Sequence, residues 1–592
     1  MEQDIIGKGR ASMYFGNERK ERAERKQREA ALSRANSLYQ EKEYAQAAEL
    51  MQELLQKLPH DTELHYVRAA SLVHLGQFDA ARREIAEIRA VDAAHAGAAM
   101  QEIYIEKAHG NVRTQVRLLR VLIAALEKRI ARAPRETAYC MKFLAEAYSL
   151  LGSALTLMGE TEEAVRSFVA SGLRETMRAQ KSTEYSNALF AVNYLPEHAR
   201  GAFRGLLRDY QKIHEDIRPL ASAADAARGH DKIRIGYISP DLCRHPVAYF
   251  LYPLLHAFDQ EQFSVYCYAR CAEDAISLAM QQEPIHWRNI MGMSAAGAAA
   301  RVRRDAIDIL VDLSGHTKNN CLPILAHKPA PVQMTGIGYF DTTGLSAVDY
   351  MLSDGILDPE GTVRQDFTEE IIRLPHSHFC YLPLGAGDMP QPAPPPMAAR
   401  GYVTFGCFNN FSKVTDEVLL LWRQVLDAVP KSRLLVKSKL FDSAEGCAVA
   451  AKRFVCAGIS EGRVEMRGFT EGYLAEYADM DIALDTFPYT GGLTTCEALY
   501  MGVPVVTLCG KSHGGRFGAS LLTNANLEDL VAKTPDEYVR TAAALAGSLE
   551  TLTALRENLR TILQSAPLMD VRGYVRAVEA AYRAAWERFV MT

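Results

Sequence analysis

At 592 residues, 48% hydrophobic and 23% charged, the chain is too long for one core and has the composition of a soluble globular protein of roughly three or four domains. Its formal charge of -5 argues against nucleic acid as the main partner. The absence of any apolar run of about 18 residues excludes an obvious membrane-spanning helix. The polar start Met1-Glu2-Gln3-Asp4 predicts no signal peptide. The 11 cysteines show no metal-like pairing: Cys267 and Cys271 stand close, but without a second pair or a histidine cluster. They are expected to be reduced thiols in a cytoplasmic protein.

Residues 1–30 contain the dense mixed-charge run Glu18 to Lys26 and are predicted to form a charged helical arm. An internal repeat follows. ANSLYQEKEYAQAAEL begins at Ala35, and AASLVHLGQFDAARREI begins 34 residues later at Ala69. Leu38 aligns with Leu72, Tyr44 with Phe78 and Ala47 with Ala81; a third copy aligns Gly159 and Ala164 with Gly76 and Ala81. That period, with small residues where helices touch, predicts a tetratricopeptide-repeat solenoid over 31–175 whose groove holds a protein partner. Bracing of the next domain is the alternative. Residues 176–230 are expected to be a helical connector.

Near Gly229 the pattern changes to short β-rich runs separated by helices. IRIGYIS (233–239), FSVYCYA (263–269), IDILVDLSG (307–315) and PVQMTGIGY (331–339) predict one parallel sheet over 231–388. A Pro-rich linker at 389–399 separates it from a second sheet over 400–592. VTFGCFNN, SRLLVKS, DIALD and VPVVTL supply the strands of that second sheet. Two such domains place a ligand cleft at the carboxyl ends of both sheets. A last helix, about Val571 to Phe589, is expected to pack across it.

The segment from Asp481 to Leu508 carries the clearest chemical signal. A short strand leads through Pro488 to Gly491-Gly492, a helix begins at Leu493, Gly502 caps it, and another strand follows. Glycine lets a backbone approach a ligand closely, and the first helical turn offers unpaired N–H groups to phosphate. Thr494 and Thr495 add hydroxyls there, and Glu497 lies one turn in, where its carboxylate could accept from a ribose. The same residues would also suit an ordinary strand-to-helix turn.

Four segments, in order, carry a resemblance. DLCRHPVAYFL, DLSGHTKNN…PAPVQMTGIGY, TFGCFNNFSKVTDE and DTFPYTGGLTTCEAL resemble the O-GlcNAc transferase family, including its bacterial members. The resemblance implies an α/β GT-B catalytic region of two Rossmann-like domains preceded by tetratricopeptide repeats. It implies an inverting, metal-independent transfer of a sugar, GlcNAc first among them, from a UDP-sugar to Ser or Thr of a protein held by the repeats. Glucose transfer from UDP-glucose to Asn, or a non-catalytic repeat adaptor, are the alternatives. No cofactor or metal is implied.

The resemblance also assigns roles. Lys413 matches the family lysine at the donor diphosphate, where an ammonium stabilises the departing UDP. His245 matches a histidine near the acceptor hydroxyl; a neutral imidazole can take that proton, with the donor α-phosphate or a carboxylate as rivals. Asn409, Tyr473, Gly491, Gly492, Thr494, Thr495 and Glu497 fall on the donor side, with Tyr473 where many relatives stack a histidine on uracil. His316, Tyr339 and Asp341 fall on the substrate side, and a hydrogen-bonded turn histidine is the other expectation for His316. Two departures stand out. Leu493 replaces a common threonine, and Gly338-Tyr339-Phe340-Asp341-Thr342 replaces Gly-Tyr-Pro-Gly-Thr, leaving the donor sugar open.

Overall fold

The computed structural model describes residues 22, 25–133, 135, 137–222, 224–225, 229–362, 366–383 and 389–591. Most of the expected charged arm at 1–30, and the domain boundary at 388, lie outside these residues. The chain forms two compact units that part between Leu151 and Gly152. No helix among the described residues is long and apolar enough to cross a membrane, and no disulfide joins the described cysteines.

The first unit is all helical. After a helix over 25–40 come Tyr44–Leu55, Thr62–His74, Phe78–Val91, Ala96–Ala108 and Val112–Arg132. Ala47, Ala69, Ala81 and Ala98 are fully buried, so the small residues of the repeat sit where neighbouring helices meet. Asp61 caps Thr62–His74, accepting from Glu63 and Leu64 N–H, as a short carboxylate does at a helix start.

The second unit opens with helices Thr161–Arg174, Arg178–Val192 and Gly205–His214. The sequence placed the end of the repeats at 175, yet the units divide inside the helix Thr137–Met158. The reason is packing: Arg178–Val192 lies against Thr161–Arg174 and is tied to the segments that carry His316 and Tyr339. Ser186 Oγ is 3.0 Å from His316 Nδ1, and Asn193 Nδ2 donates to Tyr339 OH at 3.1 Å.

Two open sheets follow. The first contains β1 (Ile233–Ser239), β2 (Phe263–Ala269), β3 (His286–Asn289), β4 (Ile309–Asp312), β5 (Val332–Thr335), β6 (Tyr350–Asp354) and β7 (Glu370–Leu374). The second contains β8 (Thr404–Cys407), β9 (Arg433–Lys437), β10 (Val464–Arg467), β11 (Ile482–Leu484), β12 (Val505–Leu508) and β13 (Val531–Ala532). Their orders are β3-β2-β1-β4-β5-β6-β7 and β10-β9-β8-β11-β12-β13. Pairing is parallel throughout, with β1 in full register on β2 from Ile233–Phe263 to Ser239–Ala269. Eight strands follow the sequence reading. Of the five it lacked, four are sheet edges, where β3 and β10 are partly or fully exposed and their mixed polarity hides the strand signal. The fifth, β6, is interior, and its buried end is polar, Ser353 and Asp354.

Strand order reverses between β1 and β4 in one sheet and between β8 and β11 in the other. The loops after those four strands therefore diverge to opposite faces and leave a crevice at the carboxyl edge. The last helix, Val571–Met591, carries the chain back from the second sheet to the first. Its Glu579 accepts from Asp259 N–H at 2.7 Å, Tyr582 OH meets Tyr237 OH at 3.2 Å, and Arg588 pairs with Glu370 at 2.7 Å.

Candidate active site at the sheet crevice

The loop after β11 is built on a buried carboxylate. Asp485 accepts from Gly491 N–H at 2.7 Å, Thr486 N–H at 2.9 Å and Thr507 Oγ1 at 2.8 Å. These bonds fold Thr486–Gly491 back over the strand end and deliver Gly491-Gly492 to the start of the helix Leu493–Tyr500. A Cβ on Gly491 would meet Thr495 Oγ1 at 2.4 Å and Thr494 Oγ1 at 2.9 Å, so this position is glycine because of crowding. Gly502, at φ +79°, ends the helix in the left-handed region that favours glycine.

The loop after β8 meets it. Asn409 donates to Asp485 and Thr486, each at 3.3 Å, and its carbonyl accepts from Thr494 Oγ1 at 2.7 Å. Thr494 thus has its one hydroxyl proton engaged, and Thr495 is 3% exposed. Both hydroxyls stand at the helix entrance, one bonded to Asn409 and the other buried. Lys413, at the end of the turn Phe411–Lys413, donates to Thr490 O at 2.9 Å and stands 4.3 Å from the Tyr489 ring centroid. Burial lowers its ammonium to about 8, with Asp485 and Cys407 pulling the other way. Glu497, 4% exposed, accepts from Tyr473 OH at 2.6 Å, and burial pushes its carboxyl up to about 7.

Opposite, the loop after β1 carries His245 at the N-terminus of Pro246–His256, where Nδ1 accepts from Val247 N–H at 3.4 Å. Its side chain keeps 41% of its surface, and Nδ1 lies 3.8 Å from Asp241 Oδ2. Desolvation holds the imidazole down at about 4, so it is neutral at ordinary pH. Desolvation, and then the nearby Asp312 charge, push the Asp241 carboxyl up to about 7. Among the described residues, Asp241 Oδ2 is buried without a hydrogen-bond partner.

His316 and Tyr339 require correction as substrate contacts. His316 is 1% exposed, and its ring nitrogens meet Ser186 Oγ at 3.0 Å and Thr343 O at 2.9 Å. Buried with both nitrogens satisfied, it braces the loop after β4, which is the turn-histidine alternative. Tyr339 is 5% exposed with its hydroxyl on Asn193 and Leu189, so it anchors the connector helix. Asp341 does reach a cavity of about 360 Å³, which it lines with Glu197, Arg200 and Lys511.

Several site-forming residues had no role assigned from sequence. Asp485 carried a signal: an acidic residue closing the apolar strand DIALD. Phe190, Tyr194 and Glu197 carried none, because their partners lie some 300 residues away in sequence. Phe190 and Tyr194 pack on Tyr489 at 6.1 and 5.4 Å between centroids. Glu197 accepts from Lys511 and Ser512 N–H, both at 2.8 Å.

The family profile described as Glycosyl transferase family 41 matches residues 207–382 and 398–578, and a tetratricopeptide-repeat profile matches 38–103. Over 416 residues the chain is 38% identical to the tomato (Solanum lycopersicum) protein named "Probable UDP-N-acetylglucosamine--peptide N-acetylglucosaminyltransferase SPINDLY", covering 68% of this chain and 44% of that one. It is 27% identical to the Arabidopsis thaliana protein with the same enzyme name and the suffix SEC, covering 60% and 37%. The chain thus spans less than half the length of these curated relatives. A solved structure of an O-GlcNAc transferase mutant from Thermobaculum terrenum superposes with a TM-score of 0.73 at 30% identity, covering 95% of this chain and 98% of that one.

Proposed function

Because the chain belongs to glycosyl transferase family 41, we propose that it transfers a sugar, GlcNAc in the first instance, from a UDP-sugar to Ser or Thr of a protein, with inversion and without a divalent metal. One observation carries this reading. Lys413, Asn409, Glu497 and the Gly491-Gly492 helix entrance converge after β8 and β11, while a neutral, partly exposed His245 stands after β1 at the first sheet's reversal. The names of the relatives support the sugar and the peptide acceptor. The repeats support a protein acceptor held in their groove.

In this mechanism the acceptor oxygen attacks the anomeric carbon as the bond to UDP breaks, and the bonding pair leaves with the diphosphate. Lys413 and the first turn of Leu493–Tyr500 offset the charge that forms there. His245 takes the hydroxyl proton.

Two measurements test this reading. Calorimetry in EDTA should detect UDP binding, and Glu497→Ala should weaken it by about 1–3 kcal/mol, the range for losing a hydrogen bond to a charged group. No binding in EDTA would sink the metal-free donor site. His245→Ala should lower transfer to hydroxyl acceptors by roughly 10²–10⁴-fold, the range for general base catalysis, with UDP affinity almost unchanged. Undiminished single-turnover transfer would remove His245 as the base.

A further inference from the structure

Tyr489 joins the donor loop to the helical connector. It is 7% exposed, and Lys413 Nζ stands over one of its faces at 4.3 Å from the centroid. The same ammonium donates to the next residue's carbonyl, Thr490 O, at 2.9 Å, so two adjacent residues fix its place. The ring is itself wedged. Phe340 from the loop after β5 stands 5.0 Å away, and Tyr194 and Phe190 from the connector stand 5.4 and 6.1 Å away. Phe340 is backed in turn by Phe517 at 4.1 Å. Three aromatic side chains from outside the donor domain's own loop thus keep the ring under the ammonium.

We propose that Tyr489 is a positioning residue for sugar transfer: its ring, wedged by Phe190, Tyr194 and Phe340, holds the Lys413 ammonium where charge develops on the departing diphosphate. This rests on the transfer reading above and deepens it by making the connector helices part of the catalytic apparatus. The physics is the attraction of a cation to the negative face of an aromatic ring, which strengthens as water is excluded. Lys413 is otherwise poorly placed to stay charged. Burial opposes its ammonium, the Asp485 and Cys407 side chains favour it, and the balance is about 8.

The test uses the full chain with UDP-sugar and protein acceptor, comparing wild type, Tyr489→Phe and Tyr489→Met. Tyr489→Phe keeps the ring face and should retain kcat within about twofold. Tyr489→Met should lower kcat roughly 5- to 30-fold, the equivalent of a desolvated cation–π contact. It should also shift the pH profile of kcat/KM for the donor, which reports groups of the free enzyme. Lys413 works protonated, so activity falls as pH rises through its pKa. Losing the ring face removes support for the charged form, lowers that pKa, and moves the basic limb to lower pH by up to about one unit. A purely structural role would reduce the rate and leave the limb in place. An unmoved limb in Tyr489→Met, or equal damage from Tyr489→Phe, overturns the proposal. If Tyr489→Met fails to fold by thermal denaturation, Phe190→Leu, which loosens the wedge, should move the limb in the same direction; an unmoved limb there overturns it too. Wild type that binds UDP and transfers sugar while Tyr489→Met behaves normally sinks only the role of Tyr489. Wild type that does neither sinks the transfer reading itself.

Discussion

Lys413→Ala should reduce kcat by roughly 10²–10³-fold, the scale of removing one preorganised electrostatic donor. The ammonium is fixed by Thr490 O and the Tyr489 ring. Little reorganisation is therefore needed when charge appears on the leaving diphosphate. Its contribution grows as the sugar–phosphate bond breaks, so UDP affinity should fall much less than kcat. The Gly491-Gly492 entrance, organised by Asp485, remains to hold the phosphates. Lys413→Arg keeps the charge, but a planar guanidinium has to fit between the ring and the carbonyl, so rescue should be partial. Single-turnover transfer at saturating donor decides the matter. Equal rates for wild type and Lys413→Ala would leave the proposed mechanism without its main support.

Deleting residues 1–151 should abolish modification of a whole-protein acceptor while sparing hydrolysis of the UDP-sugar. The cut follows the division of the chain into two compact units. It also spares the connector helix Arg178–Val192, whose Phe190 reaches Tyr489 and whose Ser186 holds His316. A cut reaching further, past residue 192, should instead lose both activities, since it removes that wall of the catalytic unit. The readouts are UDP release without acceptor and intact-mass analysis of the acceptor protein. Full modification by the 152–592 form would reject the recognition role of the repeats.

Much of this architecture is legible in the chain because the signals are local. The repeat period places small residues such as Ala47 and Ala81 at helix contacts, and both are fully buried. Apolar runs between helical segments mark eight strands. The glycine pair after DIALD marks the entrance to the helix Leu493–Tyr500. Edge strands escaped because one side of each faces solvent or loops, so their residues carry no clear pattern.

The sequence by itself determined the repeats, the two parallel sheets and the residue types at the Gly491-Gly492 loop, since strand, turn and helix entrance depend on neighbours in the chain. Only the tertiary structure decided which of those residues are free to act. Histidine after a strand reads the same whether it faces a crevice or a core, yet burial and two satisfied nitrogens make His316 a brace. His245, capping an exposed helix start, keeps part of its ring open. Tyr489 reads as one aromatic in a loop until the fold brings Lys413 onto one face and Phe190 and Tyr194 against the ring. Those contacts join residues far apart in sequence, and they arise from the packing of the connector against loops of both sheets, which no local pattern encodes.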